Sequence, residues 1–162
     1  MDGYGKRILI IDDNEDILYL TGMALSNRGY NVYTACDGFE GLAHMKRRRY
    51  DAVLTDFHMP RLSGLQFIEM CRSMWPETPI ILMSGDTWMT DRAALVEGTF
   101  GRVAKPFDLA QLLELVNRAC RNSPHGEPVT RSRGDRPSGR RSSSLKERDT
   151  NLQATGAVPL TS

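Results

Sequence analysis

The chain has 162 residues, which suits one domain or one domain with an extension. Its apolar fraction of 40%, charged fraction of 25% and formal net charge of +1 are ordinary, and they give no overall basic field for nucleic acid. No apolar run has the length of a membrane span, and the polar start Met1–Arg7 lacks the apolar stretch of a secretory signal, so we expect a cytoplasmic protein.

Five short apolar runs predict β-strands. Runs that are apolar on both faces are typical of parallel strands that helices cover on each side. The predicted strands are Arg7–Ile11, Asn31–Ala35, Ala52–Thr55, Pro79–Met83 and a weaker Gly101–Ala104.

Stretches of helical period separate these strands. The last helix has the clearest pattern, because an apolar stripe at i, i+3, i+4 spacing follows a capping aspartate. The predicted helices are 14–28, 37–48 with Asp37 as N-cap, one that Ser63 opens, 87–97, and one that Asp108 caps. Five βα units in a row predict an α/β fold with a doubly wound, five-stranded parallel sheet.

The composition changes near Asn122. Residues 123–162 contain no aromatic residue, and their arginines are set among Ser, Pro and Gly. Such a segment cannot bury enough apolar surface to offset the entropy of ordering. We predict a folded domain over residues 6–121 and a disordered basic tail over 122–162, too polar for a folded DNA-binding domain.

The three cysteines are read as structural side chains. Cys36, Cys71 and Cys120 are widely spaced and odd in number, so they imply no disulfide framework. We expect all three to be small buried apolar side chains.

Polar side chains follow four of the five strands. In open parallel sheets, ligands bind beyond the carboxyl ends of the strands, so these side chains should converge there. Clustered carboxylates need a cation, and oxygen ligands favour Mg²⁺. A carboxylate beside Mg²⁺ can attack a phosphoryl donor, while a hydroxyl and an ammonium bind phosphoryl oxygens. The residues are Asp12, Asp13, Asp56, Ser84 and Lys105.

Four motifs stand in order at the predicted strand ends. They are IIDD, the stretch LTDFHMP, MSG and KPF. Together they resemble the receiver domain of two-component response regulators over about Lys6–Arg121. The resemblance implies the flavodoxin-like (βα)5 fold with strand order 2-1-3-4-5. It also implies a domain that is phosphorylated in a phosphorelay.

The resemblance assigns roles to the site residues. Asp56 corresponds to the phosphoacceptor. Asp12 and Asp13 correspond to the acidic pair that binds Mg²⁺, with Asp13 the direct ligand, and the metal would also contact Asp56 and the backbone carbonyl of His58. Ser84 corresponds to the switch hydroxyl.

The same resemblance assigns roles to residues in the loops after the third and fifth strands. Lys105 corresponds to the lysine that contacts the phosphoryl group. Pro106 corresponds to a proline that a cis bond precedes, which would direct Lys105 into the site. Gly64 lies in the loop after the third strand, where we expect glycine to permit an unusual backbone angle.

One position departs from the family pattern. The family has Tyr, Phe or His three residues before the lysine, a ring that turns inward during switching, and this chain has Arg102. An arginine does not enter an apolar slot unless its charge is paired. Phosphorylation could therefore persist while its coupling to the output face differs.

The leading hypothesis is a stand-alone response regulator. It would accept a phosphoryl group from a histidine kinase or a histidine phosphotransfer protein and then bind a protein target. The contact face would be the helix over 87–97, the fifth strand and the last helix. Apart from phosphorylating and dephosphorylating itself, it would not be an enzyme. We expect a monomer or a phosphorylation-linked dimer.

Three alternatives remain. Arg102 motivates a phosphorylation-independent interaction module with the same fold. A regulator that binds nucleic acid through the basic tail is unlikely. A phosphatase is remote, because it would need a second acid where His58 stands. Neither His44 nor His125 has a partner at metal-ligand spacing.

Overall fold

A computed structural model describes residues 3–85 and 98–125, and its five parallel strands form one sheet in the order β2-β1-β3-β4-β5. This confirms the predicted fold class and strand order. The strands are β1 (Arg7–Ile11), β2 (Asn31–Ala35), β3 (Ala52–Asp56), β4 (Ile80–Ser84) and β5 (Gly101–Ala104).

Three strands have the predicted bounds and two differ by one residue. Strand β3 includes Asp56, and β4 runs from Ile80 to Ser84 instead of from Pro79 to Met83. The backbone N–H of Phe57 donates to the carbonyl of Met83 at 2.9 Å, which extends the pairing to the end of β3. Asp56 and Ser84 are therefore held by the sheet itself.

Four helices are described, and each begins after a side chain that caps it. They are α1 (Glu15–Ser26), α2 (Gly38–Arg47), α3 (Gly64–Met74) and α4 (Leu109–Arg121), capped by Asn14, Asp37, Ser63 and Asp108. Ser63 and Gln66 complete a capping box at α3, which satisfies two backbone donors reciprocally. The predicted helix over 87–97 and most of the predicted tail lie outside the described residues.

Two apolar clusters cover the two faces of the sheet. Alternate residues of a strand point to opposite faces, so Leu9 and Ile11 belong to one cluster, and Ile8 and Ile10 to the other. Side chains of α2 and α3 complete the first cluster, and those of α1 and α4 complete the second. The sheet is therefore covered on both faces, as the doubly wound architecture requires.

Two of the three cysteines are buried as expected. Burial raises the pKa of Cys71 to about 12, and that of Cys120 to about 12 with help from the charge of Asp51. The expectation was wrong for Cys36, which is exposed. It follows β2, an edge strand that pairs only with β1 among the described strands.

Candidate functional site

Three carboxylates meet at the carboxyl edge of the sheet. Asp12 directly follows β1, and Asp56 ends the neighbouring β3, in a register that pairs Ile11 with Thr55. One ligand atom from each of Asp12, Asp13 and Asp56 lies within 4.8 Å of the others. Asp12 and Asp56 are buried, whereas Asp13 is exposed. The structure thus brings together the acidic residues that the sequence predicted to converge.

The ammonium of Lys105 joins two of these carboxylates. Its Nζ lies 2.5 Å from Oδ2 of Asp12 and 2.9 Å from Oδ1 of Asp56. Lys105 follows β5, and its bond to Pro106 is cis, as the resemblance implied. The sequence predicted Lys105 as a phosphoryl contact, and its simultaneous contact with Asp12 was not foreseen.

Burial and charge act in opposite directions on this pair. Desolvation raises the pKa of Asp56, the hydrogen bond and charge of Lys105 lower it, and Asp12 and Asp13 raise it, with a net increase. Desolvation alone would lower the pKa of Lys105, but its hydrogen bonds to Asp12 and Asp56 raise it overall. Lys105 therefore stays an ammonium and acts as an internal counter-ion.

Ser84 lies between the strands that lead to Asp56 and Lys105. It is the last residue of β4, buried, and paired in register with Ala104. Its carbonyl accepts a hydrogen bond of 2.6 Å from the backbone N–H of Lys105. The sheet therefore places the Ser84 hydroxyl at the same edge as the carboxylates.

Gly64 is required for a different reason from the one expected. Its φ is not in the left-handed region, so the expected unusual backbone angle was wrong. A Cβ atom there would lie 2.2 Å from the carbonyl oxygen of Asp56 and 2.9 Å from Cα of Phe57. Arg61 adopts the positive φ of 68° in this loop instead. The glycine lets α3 begin directly against the backbone of the phosphoacceptor candidate.

Two further predicted site residues are exposed. The ring of His58 packs edge to face on Phe57, with centroids 4.9 Å apart. Arg102 lies on β5 opposite Leu82 with its side chain exposed, in keeping with the cost of burying its charge. The metal contact of the His58 carbonyl and the switch role of Arg102 stay predictions.

One ion pair near the site was missed. The Asp37 carboxylate accepts from the backbone N–H of Glu40 at 2.9 Å, as a cap should, and also from the guanidinium of Arg61. Arg61 also faces the ring of Phe39. The contact ties the loop after β3 to the start of α2. No spacing in the sequence indicates it, because the two residues are far apart along the chain.

The acidic cluster suits a hard divalent cation. Its donors are carboxylate oxygens from Asp12, Asp13 and Asp56. Oxygen donors favour Mg²⁺, whereas zinc sites use histidine and cysteine. The exposure of Asp13 leaves one side of the cluster open to water and substrate, which Mg²⁺ sites use for their remaining ligands.

The sequence profile of the response regulator receiver domain matches residues 8–117. The chain belongs to this family. The receiver match includes all of the site residues named above, from Asp12 to Lys105. In the part of this receiver that the structure describes, no helix is long and apolar enough to cross a bilayer.

Known receivers with similar sequences include transcriptional regulators. The transcriptional regulatory protein GlrR of Escherichia coli (strain K12) is 32% identical over 118 residues, which are 72% of this chain and 27% of GlrR. The transcriptional regulatory protein PrrA of Mycobacterium leprae (strain TN) is 34% identical over 116 residues, which are 71% of this chain and 50% of PrrA. The chain thus spans between about a quarter and a half of these relatives.

A solved receiver structure is also similar. The response regulator TrrA from Thermotoga maritima, in complex with Mg(2+)-BeF, is 32% identical with a TM-score of 0.65. The match covers 70% of this chain and 98% of TrrA. The receiver identity of the chain therefore has support from sequence and from fold.

Proposed function

We propose that this chain is a phosphorylatable response regulator of a cytoplasmic two-component pathway. Asp56 would accept a phosphoryl group from a histidine kinase or a histidine phosphotransfer protein. The observation that carries the proposal is the buried Asp56 carboxylate, which lies beside Asp12 and Asp13 with the Lys105 ammonium 2.9 Å from its Oδ1.

The proposed transfer makes one bond and breaks one. A carboxylate oxygen of Asp56 attacks phosphorus, the bond from phosphorus to the donor's histidine nitrogen breaks, and that nitrogen keeps the electron pair and takes up a proton. The product is an acyl phosphate on Asp56. Hydrolysis reverses the modification, because water attacks phosphorus and releases inorganic phosphate and the carboxylate.

The residues of this chain position and neutralise the reacting groups. Lys105 can leave its carboxylate contacts to pair with a phosphoryl oxygen, and Ser84 can donate its hydroxyl to another. The carboxylates of Asp12, Asp13 and Asp56 would hold Mg²⁺, and the backbone carbonyl of His58 is proposed as a further ligand. When bound, Mg²⁺ supplies positive charge that offsets the negative phosphoryl oxygens.

The chain would act on no separate substrate, so it is proposed as a signalling protein and not as an enzyme. Its phosphorylated form would change its affinity for a protein target. A stand-alone role and the predicted contact face around β5 and α4 belong to this proposal. The chain spans only part of the compared relatives, so the proposal names no particular target. The target is any partner that binds the phosphorylated form.

The test uses acetyl phosphate with Mg²⁺ and intact-mass spectrometry. We expect the wild type to gain one phosphoryl group, about 80 Da, and Asp56→Asn to gain none, because the amide is not a nucleophile of this kind. Asp16→Asn, which removes an exposed carboxylate of α1 outside the cluster, is the matched control and should be modified like the wild type. Equal modification of Asp56→Asn would refute the assignment of Asp56.

A second candidate function rests on Arg102. Its exposed guanidinium stands where the family has an inward-turning ring, which favours an interaction module whose binding does not depend on phosphorylation. A binding partner isolated with the full chain would separate the two functions. Equal affinity for wild type and Asp56→Ala, with and without acetyl phosphate, would support the module, and a difference would support the switch.

A further inference from the structure

Several basic side chains lie at the amino-terminal edge of the sheet, opposite the acidic cluster. Two adjoining cavities of about 270 and 340 Å³ show that they share a surface, because Arg49 and His125 line both. Arg48 lines the smaller cavity, and Lys6 and Arg7 line the larger one. We call these five residues the basic pole.

Ring contacts hold two of the arginines in place. The guanidinium of Arg48 lies 4.5 Å from the ring centroid of Tyr33, and Nη1 of Arg49 lies 3.3 Å from Nε2 of His125. Arg48 and Arg49 are both exposed. Their planar groups are therefore presented at the surface, in the form that binds phosphate oxygens in pairs.

The acidic residues of this surface do not balance the pole. Asp51 is buried, and its carboxylate accepts from the backbone N–H of Arg7 at 2.8 Å and lies 3.7 Å from Nζ of Lys6. Glu77 is the other acid that lines these cavities. Four Lys and Arg charges against two carboxylates leave a local positive charge.

One aromatic ring lines each of the two cavities. Tyr4 lines the larger cavity with 77% of its surface exposed, and Trp75, half-buried against the core, lines the smaller one. Single-stranded nucleic acids bind surfaces that combine cations for phosphates with rings on which bases stack. An acidic peptide would use the cations alone, so the rings favour nucleic acid.

The chain beyond this surface has the same sign of charge. Residues 126–162, which follow His125 directly, contain seven Lys or Arg and four Asp or Glu. Cations of a chain that contact phosphates add to its affinity for nucleic acid through counterion release. The sequence that follows His125 therefore carries a net positive charge, like the pole.

We propose that the basic pole binds single-stranded nucleic acid. Phosphates would pair with Arg7, Arg48 and Arg49, and bases would stack on Tyr4 and Trp75. This departs from the sequence-based expectation that nucleic acid is an unlikely partner. The overall charge averages over the whole surface, whereas the structure collects cations at one edge of the sheet. The pole is separate from the phosphorylation site, so this proposal does not depend on the proposed function.

The test is fluorescence anisotropy of the full chain with a labelled single-stranded oligodeoxynucleotide. An oligonucleotide of about 20 nucleotides exceeds the roughly 4–16 that one small domain covers. We expect binding that weakens as salt increases, with a logarithmic slope of about −0.7 for each neutralised phosphate. Arg49→Glu should weaken binding about tenfold at low salt and reduce this slope. Arg102→Glu makes the same change of charge on the far edge strand β5 and should bind like the wild type.

Two further variants separate stacking from charge and the pole from the tail. Tyr4→Ala removes an exposed ring at little cost to the core, and it should weaken binding about fivefold without changing the salt slope. Arg140→Glu with Arg141→Glu should weaken binding less than Arg49→Glu. No binding at low salt, equal losses for Arg49→Glu and Arg102→Glu, or an unaffected Tyr4→Ala would overturn the proposal. Displacement by polyglutamate as effective as by unlabelled oligonucleotide would also overturn it, in favour of an acidic protein partner.

Discussion

At the scale of single residues, the fold disfavours the ionised form of Asp56. Its carboxylate is buried beside two others, and the Lys105 ammonium offsets only part of the cost, so its pKa is raised. Groups that serve function rather than stability often show such a conflict. The phosphoacceptor candidate should therefore be a site where a neutral side chain stabilises the fold.

Asp56→Asn should be more stable than the wild type at neutral pH. A carboxyl whose pKa is raised by folding binds more protons in the folded state, so wild-type stability falls as pH rises through that raised pKa. The variant avoids this loss, and we expect a higher melting temperature for Asp56→Asn than for the wild type at neutral pH.

Thermal melts from pH 3.5 to pH 8 would measure the effect. The gain should shrink as pH falls toward the usual range of an aspartate, because the wild-type carboxyl is then protonated in both states. A gain that stayed constant across this range would mean that the raised pKa is not its cause.

At the scale of elements, the start of α3 is fitted against the end of β3. Gly64 is the first residue of the helix, and a Cβ there would meet the backbone of Asp56. A Cβ atom on Gly22, within α1, would meet only Cγ1 of Val32 among the described residues, at an ordinary distance of 3.7 Å. The structure therefore has no room for a Cβ atom at Gly64, whereas it has room for one at Gly22.

Gly64→Ala and Gly22→Ala should change stability in opposite directions. The first overlaps rigid backbone and should lower the free energy of unfolding by about 1–3 kcal/mol. The second replaces glycine inside a helix and should raise it by roughly 0.5–1 kcal/mol. Urea denaturation of both variants would show this, and Gly64→Ala should also slow modification by acetyl phosphate. A Gly64→Ala protein as stable as wild type would show that the contact is not rigid.

The elements also show what sequence can and cannot predict. Apolar runs and capping residues defined the strands and helices, because burial on two faces and helix ends have local signals. Gly64 and Cys36 were misjudged, because close approach to Asp56 and position beside an edge strand depend on the assembled sheet. The contact of Lys105 with both Asp12 and Asp56 also depends on the assembled sheet, so the sequence did not predict it.

At the scale of the whole molecule, the order of the motifs predicted which residues meet at one edge of the sheet. Each of Asp12, Asp56, Ser84 and Lys105 lies at or just beyond a strand end, and parallel strands bring those ends to one edge. The basic pole was not predicted, since its residues come from the start of β1, the segment between α2 and β3, and the segment after α4, and no motif links them. A run such as Lys46–Arg49 signals charge, but not what lies beside it.

Mg²⁺ should stabilise the folded chain as a whole. A ligand that binds the folded state alone adds about 2.7 kcal/mol at a concentration 100 times its dissociation constant. We expect the melting temperature to rise by about 5–10 °C at such a concentration and to return when EDTA is added. Sodium chloride at equal ionic strength is the control for screening.

Two variants check where the ion binds. Asp13→Asn removes an exposed ligand of the acidic cluster and should lose most of the response to Mg²⁺. Asp16→Asn removes an exposed carboxylate outside the cluster and should keep it. An equal response in both variants would place the stabilising ion elsewhere.

The bridging position of Lys105 has a consequence for electroneutrality at the site. Three carboxylates and one ammonium sum to minus two when all are ionised, so one divalent cation balances them. A phosphoryl group on Asp56 would replace one negative charge with about two. The site would then carry about one negative charge more than a divalent cation balances. The modified protein should then hold its cation more tightly than the unmodified one, and by thermodynamic reciprocity the cation should favour the modified form to the same degree.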